Sequence, residues 1–419
     1  MKRRLEQFMK DLFLSSLKGL QSGFLELVCP DKTYTFGDAA SPLRAMAVIH
    51  DERFFVRAVT GADIGIGESY MDGDWTSPDL VALVRVATRN LRRLDAKNPV
   101  ISGVRRLLAR MRHTFRENSL LGSRKNIQAH YDLGNDFYRL FLDKQMLYSC
   151  GYFQAEGESL ESAQINKMER ICRKLRIEPG DRVLEIGCGW GAFAVYAARE
   201  HGAHVTGVTI SEAQFQAANE LVLKNKFAAG SVTILKQDYR LLQGQYDKIV
   251  NIEMFEAVGL TYYDEFFRTC DQLLTENGSM LMQTITMPEQ ELKEYCRRVD
   301  WIQTYIFPGS DLAYVGEMQR SLSRVTQMNV SHLECMGLHY ARTLSCWRER
   351  YFQHLEDARR LGFDEKFIRM WDFYLSWCEG AFRERYVNVA QIVFAKNGTR
   401  KALLGDPVAK QRAFAAGGD

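Results

Sequence analysis

Short apolar runs alternate with helical patterns through the middle of the chain. Each run is predicted to be a β-strand, and the first five occupy residues 182–186, 204–208, 232–235, 246–250 and 279–285. Two further runs, near 332–338 and 388–395, complete a predicted sheet of seven strands. Polar residues follow the first four strands at their carboxyl ends, where open α/β sheets bind ligands. The pattern therefore predicts a Rossmann-like α/β domain with a binding site along one edge of its sheet.

The beginning of the chain has a different pattern. A helical start is followed by the alternating segments F-L-E-L-V at 24–28 and F-F-V-R-A-V at 54–59, and then by a glycine-containing run from Gly65 to Trp75. We interpret residues 1–95 as a small α+β domain with glycine-containing turns. This segment has no catalytic constellation of its own, so we expect the chemistry to lie further along the chain.

A basic segment precedes the predicted catalytic domain, which we place at 126–395. Residues 101–125 contain seven Lys or Arg and one acidic residue, with apolar residues at helical spacing. Such a helix can lie on an anionic membrane surface. It can equally be a linker helix that packs its apolar stripe on the protein, and the pattern does not separate the two. We assign 96–125 as a basic linker helix.

Two parts of the catalytic domain exceed a plain seven-stranded sheet. A long insertion at about 287–330 follows the fifth strand, and residues 343–383 are helical and rich in aromatic residues. These rings would suit the walls of an apolar tunnel, and ordinary helix packing is the competing interpretation. The last residues, 396–419, are expected to form a basic flexible tail.

Composition narrows the functional class. The net charge of the 419 residues is only +3, which gives no support to a nucleic-acid partner. No apolar run reaches the roughly 18 residues of a membrane span, and the first residues contain acids rather than a signal-peptide core. The nine cysteines follow no paired or metal-finger spacing, which favours a reducing cytosol. His201 and His204 lack further ligands nearby in the sequence, so we predict no metal site.

One turn carries a specific signal. The stretch V-L-E-I-G-C-G-W-G at 183–191 lies between an apolar strand and a helix-forming run. Its glycines let the backbone turn tightly and approach a ligand closely. The spacing E-x-G-x-G-x-G resembles the first motif of Rossmann-like S-adenosylmethionine methyltransferases. We therefore predict that S-adenosylmethionine binds at this turn, with Glu185, Gly187, Cys188, Gly189, Trp190 and Gly191 as the cofactor-binding residues.

The following strand ends supply further cofactor-binding candidates. Thr209, Ser211 and Gln214 follow the second strand, where the ribose of a nucleoside would lie in this fold. Asp238 and Tyr239 follow the third strand, and Asp238 is placed to accept a hydrogen bond from an adenine amino group. Because several strand ends agree with the glycine turn, the prediction of the cofactor does not depend on one motif.

Several longer motifs resemble the cyclopropane-fatty-acyl-phospholipid synthases. They are Q-A-H-Y-D-L-G-N-D-F-Y at 128–138, M-L-Y-S-C-G-Y-F at 146–153, the glycine turn, M-F-E-A-V-G at 254–259 and Y-I-F-P-G at 305–309. The resemblance extends from the N-terminal domain to about residue 395. It implies a methyltransferase sheet with helical lipid-binding insertions and a lipid-associated N-terminal domain. The implied reaction transfers a methylene group from S-adenosylmethionine to the cis double bond of an unsaturated phospholipid acyl chain and forms a cyclopropane ring.

The resemblance also implies the residues of the site. A bound bicarbonate ion would act as general base, and the positions that match its ligands are Cys150, Glu256, Gln283, Ile285 through its backbone, and Tyr340. Tyr148 and Ser149 match cofactor-binding positions. Cys378 matches a cysteine that has been proposed as catalytic in the family, and a structural cysteine is the competing interpretation.

Two positions depart from many bacterial members, which have histidine directly after the glutamate and histidine at the position of Gln283. This chain has Ala257 and Gln283, a pair that resembles the plant-type branch and related bacterial paralogues. The departure leaves a second product open, a methylene- or methyl-branched acyl chain. A non-catalytic lipid-binding protein with the same fold is the alternative from another functional class.

The resemblance finally implies where the protein acts. The expected partner is a phospholipid acyl chain at a membrane surface, with the protein in the cytoplasm and peripherally associated with the inner face of the cell membrane. A homodimer is left open.

Overall fold

The structure is a computed structural model that describes residues 2–96, 133–296 and 299–399. The chain forms two compact units, each assembled from three segments. The first unit comprises residues 1–117, 290–308 and 340–387, and the second comprises residues 118–289, 309–339 and 388–419.

The described residues form the following helices and strands. The helices are α1 (Lys2–Leu17), α2 (Arg53–Met71), α3 (Leu80–Ala96), α4 (Asn135–Arg139), α5 (Leu160–Leu175), α6 (Ala192–His201), α7 (Glu212–Leu223), α8 (Tyr263–Leu273), α9 (Leu292–Tyr295), α10 (Trp301–Tyr305), α11 (Val315–Val325), α12 (Gly337–Gln353), α13 (Leu355–Arg360) and α14 (Glu365–Arg383). The strands are β1 (Phe24–Val28), β2 (Thr33–Gly37), β3 (Arg44–Ile49), β4 (Trp75–Thr76), β5 (Arg182–Ile186), β6 (His204–Thr209), β7 (Ser231–Lys236), β8 (Tyr246–Ile252), β9 (Leu274–Thr286), β10 (Met328–Cys335) and β11 (Asn388–Lys396).

The first unit contains the predicted N-terminal α+β fold. Its four-stranded sheet has the order β2-β1-β3-β4, in which β1 pairs antiparallel with β2 and parallel with β3. Leu25 and Leu27 of β1 are buried while the other three residues of the strand are half-buried, as the alternation of F-L-E-L-V predicts. The α+β class of this part is therefore confirmed.

The second alternating segment, F-F-V-R-A-V, does not form a strand. It lies in α2. Phe54, Phe55, Ala58 and Val59 are the buried residues of this stretch. Their spacing of one, three and four residues places them on one face of a helix, which short apolar runs do not distinguish from a strand. The interpretation of 54–59 as an alternating, strand-like segment is corrected to the first turns of a helix.

The rest of the first unit is helical and aromatic. Trp347 of α12 and Trp371 of α14 are both buried. The ring of Trp371 lies 5.3 Å from that of Tyr374, and Phe373 lies 4.7 Å from Trp301 of α10. These rings pack edge to face against one another, so helix packing accounts for them directly.

The second unit contains the seven-stranded sheet, with the order β10-β11-β9-β8-β5-β6-β7. Strands β5 to β9 pair in parallel, and β11 is antiparallel to both β9 and β10. All seven predicted strands are present, and β9 is extended in both directions relative to the prediction. The Rossmann-like α/β class is confirmed.

Apolar side chains cover both faces of this sheet. Leu184 and Ile186 of β5 pack into one core together with Phe266 of α8, and Val183 packs into the other together with Phe193 of α6. A strand that is buried on both faces is mostly apolar, as is typical of parallel sheets, and Glu185 is the acidic exception in β5. Polar groups therefore concentrate where β5, β6, β7 and β8 end, along one edge of the sheet.

Some predictions fall outside this description. The basic helix at 101–125 and most of the tail at 396–419 lie outside the described residues. The segments 290–308 and 340–387, which the sequence analysis places in the catalytic domain, belong to the first compact unit. The linear boundaries at 95, 125 and 395 stay a prediction for the functional domains.

No helix among residues 2–96, 133–296 and 299–399 is both long and apolar enough to cross a membrane.

Candidate active site

The glycine turn follows β5 directly. Gly187, Gly189 and Gly191 have φ of 80°, 52° and 86°, a region that side chains rarely tolerate. A Cβ atom at Gly187 would lie 2.7 Å from the side chain of Met254, whereas a Cβ at Gly189 would meet nothing within 4 Å. The turn thus packs tightly on the β8 side and is open at its tip, which suits the close approach of a ligand to the backbone.

Glu185 lies one residue before the end of β5 and is buried. The amide of Ala194 donates a hydrogen bond to its carboxyl group, and burial holds the pKa of this group well above its usual range. Its Oε2 atom has no hydrogen-bond partner among the described residues. An unpaired buried oxygen is costly, so a ligand that donates a hydrogen bond fits here. The turn and Glu185 together fit the predicted cofactor.

The three predicted cofactor-binding residues after β6 are connected by hydrogen bonds. Thr209 Oγ1 donates to Gln214 Oε1 at 2.8 Å, and Ser211 caps α7 by accepting a hydrogen bond from the Gln214 amide. All three lie at the sheet edge beside the glycine turn, because the amides of Gly187 and Cys188 both donate to Val208 O of β6. This cap fixes Gln214, which is buried, at the predicted cofactor edge.

The residues after β7 differ from each other in their surroundings. Asp238 is buried and accepts hydrogen bonds from Arg240 through both carboxylate oxygens, at 2.9 and 2.7 Å. Tyr239 turns away into the apolar core, where its ring lies 5.5 Å from Phe266. The structure thus holds Asp238 in a fixed orientation at the strand end, while contact of Tyr239 with a cofactor stays a prediction.

The motif around Asn135 reaches the glycine turn. Trp190 Nε1 donates to Asn135 Oδ1 at 2.8 Å. The ring of Tyr138 lies 5.4 Å from Trp190 and 5.4 Å from Tyr148. The motifs G-N-D-F-Y and M-L-Y-S-C, which are separated from the turn in sequence, therefore meet it in the fold.

A buried lysine contacts Ser149, and the sequence analysis does not predict it. Lys167 of α5 is fully buried, and its Nζ donates to Ser149 Oγ at 2.6 Å. Burial lowers the pKa of Lys167, while the carboxylates of Glu253 and Asp143 oppose this effect. A buried lysine needs compensating anions, and its position in an ordinary amphipathic helix gives no sequence signal of this role.

Glu256 lies in a single 3-10 turn, Phe255–Ala257, that follows β8. Its Oε1 accepts hydrogen bonds from Ile285 N at 2.6 Å and from Thr284 Oγ1 at 3.0 Å. Its Oε2 is buried and has no hydrogen-bond partner among the described residues. Burial, and next the charge of Glu253, raise the pKa of Glu256 to about 8. The carboxyl group therefore carries its proton at neutral pH.

Glu253 is a residue of this site that the sequence analysis misses. Its φ is 50°, and its amide donates to Gln283 O at 2.7 Å. Its Oε1 accepts from Gln283 Nε2 at 2.7 Å and from Cys150 N at 2.9 Å. The sequence does hold a signal, because Glu253 is a second acid in N-I-E-M-F-E at the end of a predicted strand.

Gln283 is fixed by the register of three strands. It lies opposite Ile252 of β8 and Gln391 of β11, and it is fully buried. Gln391 Nε2 donates to Gln283 Oε1 at 2.9 Å. This bond directs the side-chain nitrogen of Gln283 towards Glu253 and towards Cys150 O, and the distance from Gln283 Nε2 to Cys150 O is 3.2 Å. Cys150 is also buried, and its thiol donates to Gly151 O at 3.2 Å.

The structure thus brings together four of the predicted catalytic residues, Cys150, Glu256, Gln283 and Ile285, in the second unit. Tyr340 and Cys378 belong to the first unit. The Tyr340 ring packs there against Phe382, at 4.6 Å, and burial raises the pKa of the Cys378 thiol. A raised thiol pKa disfavours the reactive thiolate. The catalytic roles of both residues stay predictions.

The hydrogen-bond donors of this cluster test whether bicarbonate fits. Ile285 N is engaged by Glu256, and Gln283 Nε2 and Cys150 N are engaged by Glu253. An added anion would also face the charge of Glu253, which disfavours a second negative charge beside it. The arrangement of these residues therefore does not fit a bicarbonate ion.

Metal ligands show no clustering in the described part of the chain, where no group of three or more His, Cys, Asp or Glu side chains could hold an ion. His201 instead contacts Glu169 at 2.9 Å, and His204 contacts Ser231 at 2.8 Å. Each of the two histidines thus has a separate polar partner.

Comparisons with known protein sequences identify the family of this chain. Residues 119–392 match the family described as mycolic acid cyclopropane synthetase. The chain is 35% identical over 382 residues to a tuberculostearic acid methyltransferase of Mycobacterium tuberculosis, covering 89% of this chain and 88% of that protein. It is 36% identical over 382 residues to the cyclopropane-fatty-acyl-phospholipid synthase of Escherichia coli, covering 87% and 91%.

Comparisons of structure lead to the same group. A crystal structure of a mycolic acid cyclopropane synthase, complexed with S-adenosylhomocysteine (SAH) and CTAB, superimposes with a TM-score of 0.61 at 34% identity, covering 65% of this chain and 98% of that one. A coclaurine N-methyltransferase bound to SAH superimposes with a TM-score of 0.60 at 19% identity, which shows the shared fold. The chain belongs to the mycolic acid cyclopropane synthetase family and is an S-adenosylmethionine-dependent methyltransferase of the cyclopropane synthase type.

Proposed function

We propose that this protein transfers a methylene group from S-adenosylmethionine to the cis double bond of unsaturated phospholipid acyl chains and closes a cyclopropane ring. One observation carries the proposal. Two carboxyl groups, Glu253 and Glu256, converge with Cys150 and Gln283 at the sheet edge beside the glycine turn. Ring closure requires the removal of a proton from the transferred methyl group, and a carboxylate beside the predicted cofactor turn supports such a step.

The chemistry makes two demands on the chain. S-adenosylmethionine, when bound, supplies an electrophilic methyl group. An alkene is a weak nucleophile, so the protein must hold the double bond in line with that methyl and exclude water. The fully buried Cys150, Gln283 and Gln391 keep water from the base of the cluster. The glycine turn, Glu185 and the cap at Ser211 would hold and orient the cofactor.

The second demand concerns the proton. Glu256 keeps a proton at neutral pH, because burial and the charge of Glu253 raise its pKa to about 8. It is therefore suited to donate a hydrogen bond rather than to accept the proton. The resemblance implies bicarbonate as the base, but Glu256 and Glu253 already accept from the donors that would hold it. Turnover should therefore be the same with and without added bicarbonate.

A second product is favoured by one of the comparisons. The relative from Mycobacterium tuberculosis, 35% identical, is named a tuberculostearic acid methyltransferase. If a 1,2-hydride shift moved the positive charge to the methyl-bearing carbon, loss of a proton from the methyl group would give a methylene-branched acyl chain. A separate reductase that supplies a hydride and a proton would convert it into a methyl-branched chain. Gln283 differs from the histidine of many bacterial members and is the residue at which the two outcomes diverge in our proposal.

The function is tested by expression in a bacterial host that lacks cyclopropane lipids. We expect fatty acids that have gained CH2, with proton NMR signals upfield of the methyl region, which a ring shows and a methylene group does not. Glu256→Ala is the control, because it removes the carboxyl group from the cluster. Olefinic methylene signals in place of ring signals would select the branched product.

Cofactor binding separates the enzyme from a non-catalytic lipid-binding protein. Isothermal titration should show S-adenosylmethionine binding by the purified protein, and Gly187→Ala should weaken it. A protein that binds vesicles of unsaturated phospholipid but not S-adenosylmethionine would overturn the enzymatic proposal.

The membrane surface is proposed as the place of action, with the basic segment 101–125 as the contact. We expect binding to vesicles that contain anionic lipid, and weaker binding as salt shortens the Debye length to about 8 Å at 0.15 M. Vesicle flotation at two salt concentrations measures this, and salt-independent binding would contradict it. Light scattering of the same sample measures whether the protein is a homodimer.

A further inference from the structure

We infer that the carboxylate of Glu253 is the general base of this enzyme and removes the proton from the transferred methyl group, in the place where the resemblance implies a bound anion. The inference rests on the proposed function, because it assigns the proton transfer that ring closure requires. It concerns a residue that neither the motif spacing nor the names of the relatives assign.

The first argument is the convergence of donors on one oxygen. Glu253 Oε1 accepts from Gln283 Nε2 at 2.7 Å and from Cys150 N at 2.9 Å. These are the residues that the resemblance assigns to an anion, so the protein supplies that anion from its own chain. Gln391 fixes the amide of Gln283, so the donors are oriented before any substrate binds.

The second argument is the distribution of charge. Glu256 lies three residues after Glu253 and is held protonated by burial and by the charge of Glu253, with a pKa of about 8. Two adjacent carboxyl groups of which one keeps its proton divide the roles of acid and base. The buried cation of Lys167 interacts favourably with Glu253. A free bicarbonate ion would have to displace this arrangement.

The third argument is the backbone conformation of Glu253. Glu253 has φ of 50°, a conformation that costs a residue other than glycine free energy. The strain places its amide on Gln283 O and its carboxylate on Gln283 Nε2, both at 2.7 Å. A residue without a functional side chain would be replaced by glycine at no structural loss, so the observed strain points to a use of the carboxylate.

The position relative to the cofactor agrees with this assignment. Met254, the next residue, packs where a Cβ of Gly187 would lie. Asn251, two residues before, donates to Ile186 O at 3.0 Å. Glu253 is therefore held at the carboxyl end of β8, directly beside the turn that binds the cofactor.

The proposed step balances as follows. The π electrons of the alkene form a bond from one alkene carbon to the methyl group and leave a positive charge on the other carbon. The bond between the methyl group and the sulfonium sulfur breaks, its electron pair stays on sulfur, and neutral S-adenosylhomocysteine is the leaving group. Glu253 carboxylate takes one proton from the new methyl group. The electron pair of that C–H bond forms the third carbon–carbon bond of the ring and cancels the positive charge. Glu253 becomes a neutral carboxylic acid and returns the proton to water after the product leaves.

The first test removes only the negative charge of Glu253. Glu253→Gln keeps the size of the side chain and its acceptor oxygen, and we expect turnover to fall by about 100-fold or more, the range of a general base. The affinity for S-adenosylmethionine, measured by isothermal titration, should stay within about threefold of that of the parent protein. Glu276→Gln, an exposed glutamate on the same strand as Gln283, is the matched control and should leave turnover unchanged.

The second test restores the anion from solution. Glu253→Gly removes the carboxylate, suits the positive φ, and takes away the acceptor of Gln283 Nε2 and Cys150 N, so that a small anion could replace it. We expect this variant to be inactive alone and to recover turnover in proportion to added formate or bicarbonate. The parent protein should turn over equally in buffer from which bicarbonate has been removed.

Three results overturn the inference. They are a Glu253→Gln variant with the turnover of the parent, a Glu253→Gly variant that needs no added anion, and a parent protein that loses turnover when bicarbonate is removed. In each case the parent still forms the ring, so the proposed function stands. A parent protein that modifies no lipid overturns the proposed function instead, and the two failures are thus distinguishable.

Discussion

The turn after β5 and the turn after β8 begin side by side, since the two strands are parallel neighbours, yet they use positive φ differently. The first has glycines at 187, 189 and 191, with φ from 52° to 86°. The second has Glu253, with φ of 50°. In the first turn a side chain would obstruct the backbone that a ligand approaches. In the second the side chain is what the site needs, so the strain is kept.

The comparison has a consequence for how the two turns respond to substitution. Adding a side chain to the glycine turn should damage folding and cofactor binding together. Changing a carboxyl group in the turn after β8 should lower turnover, while the fold and the affinity for the cofactor stay the same. The following changes break or sharpen this contrast.

The largest expected effect is that of Glu256→Ala, which removes the protonated carboxyl group and leaves Ile285 N and Thr284 Oγ1 without their acceptor. Turnover should fall by about 1000-fold, the size of loss that follows removal of one preorganised hydrogen-bond donor from an active site, while the affinity for S-adenosylmethionine changes by less than about threefold. Steady-state kinetics and isothermal titration measure the two. An equal loss of both would assign Glu256 to the cofactor site.

Gly187→Ala should destabilise the protein by about 3 kcal/mol, because a strained φ costs on the order of 1–3 kcal/mol and overpacking adds to it. The added methyl would lie 2.7 Å from Met254. Gly180→Ala is the matched control, since Gly180 has φ of 88° but no atoms within 4 Å of its Cβ position. Urea unfolding of both variants separates strain from overlap, and equal losses would show that Met254 yields without cost.

The dependence of stability on pH should change in Glu256→Gln. The folded pKa of Glu256, about 8, lies above the ordinary value of 4.5, so the folded state binds the proton more tightly. Its contribution to stability is complete below pH 4.5 and is lost as pH rises towards 8. The variant lacks this loss, so its free energy of unfolding should gain about 3 kcal/mol relative to the parent between pH 5 and pH 8. Urea unfolding at both pH values measures it, and a constant difference would contradict the shift.

The smallest effect concerns a strained residue away from the site. Arg176 ends α5 with φ of 50° and is exposed. Arg176→Gly should raise stability by about 0.5–1 kcal/mol, because glycine adopts this conformation without steric cost. Turnover should not change, in contrast to Glu253→Gly. Thermal unfolding beside a turnover assay checks this, and a loss of stability would show that the Arg176 side chain contributes to packing.

Much of the fold is readable from local pattern. The strands at 182–186 and 204–209 appear where their apolar runs predict them, since a strand buried on both faces is mostly apolar. The segment 54–59 shows the limit of this approach. A short apolar run fits the inner face of a helix as well as a strand, and only its packing against the rest of the unit decides between them.

The site was readable in part. Glu256 stands out as an acid in an apolar run, whereas Glu253 lies at a strand end where acids are ordinary. Its importance depends on Cys150, Gln283 and Gln391, which come from three distant segments. No spacing along the chain encodes which strands become neighbours, so this network is invisible before the fold is known.

The sequence by itself determined the glycine turn, the order of the elements and the kind of cofactor, because the conformation of a tight turn depends on the residues within it. Only the tertiary structure decided that Glu253 takes the donors expected for a free anion. The register of β8, β9 and β11 sets Gln283 between Ile252 and Gln391, and long-range strand pairing is a property of the whole core rather than of any segment.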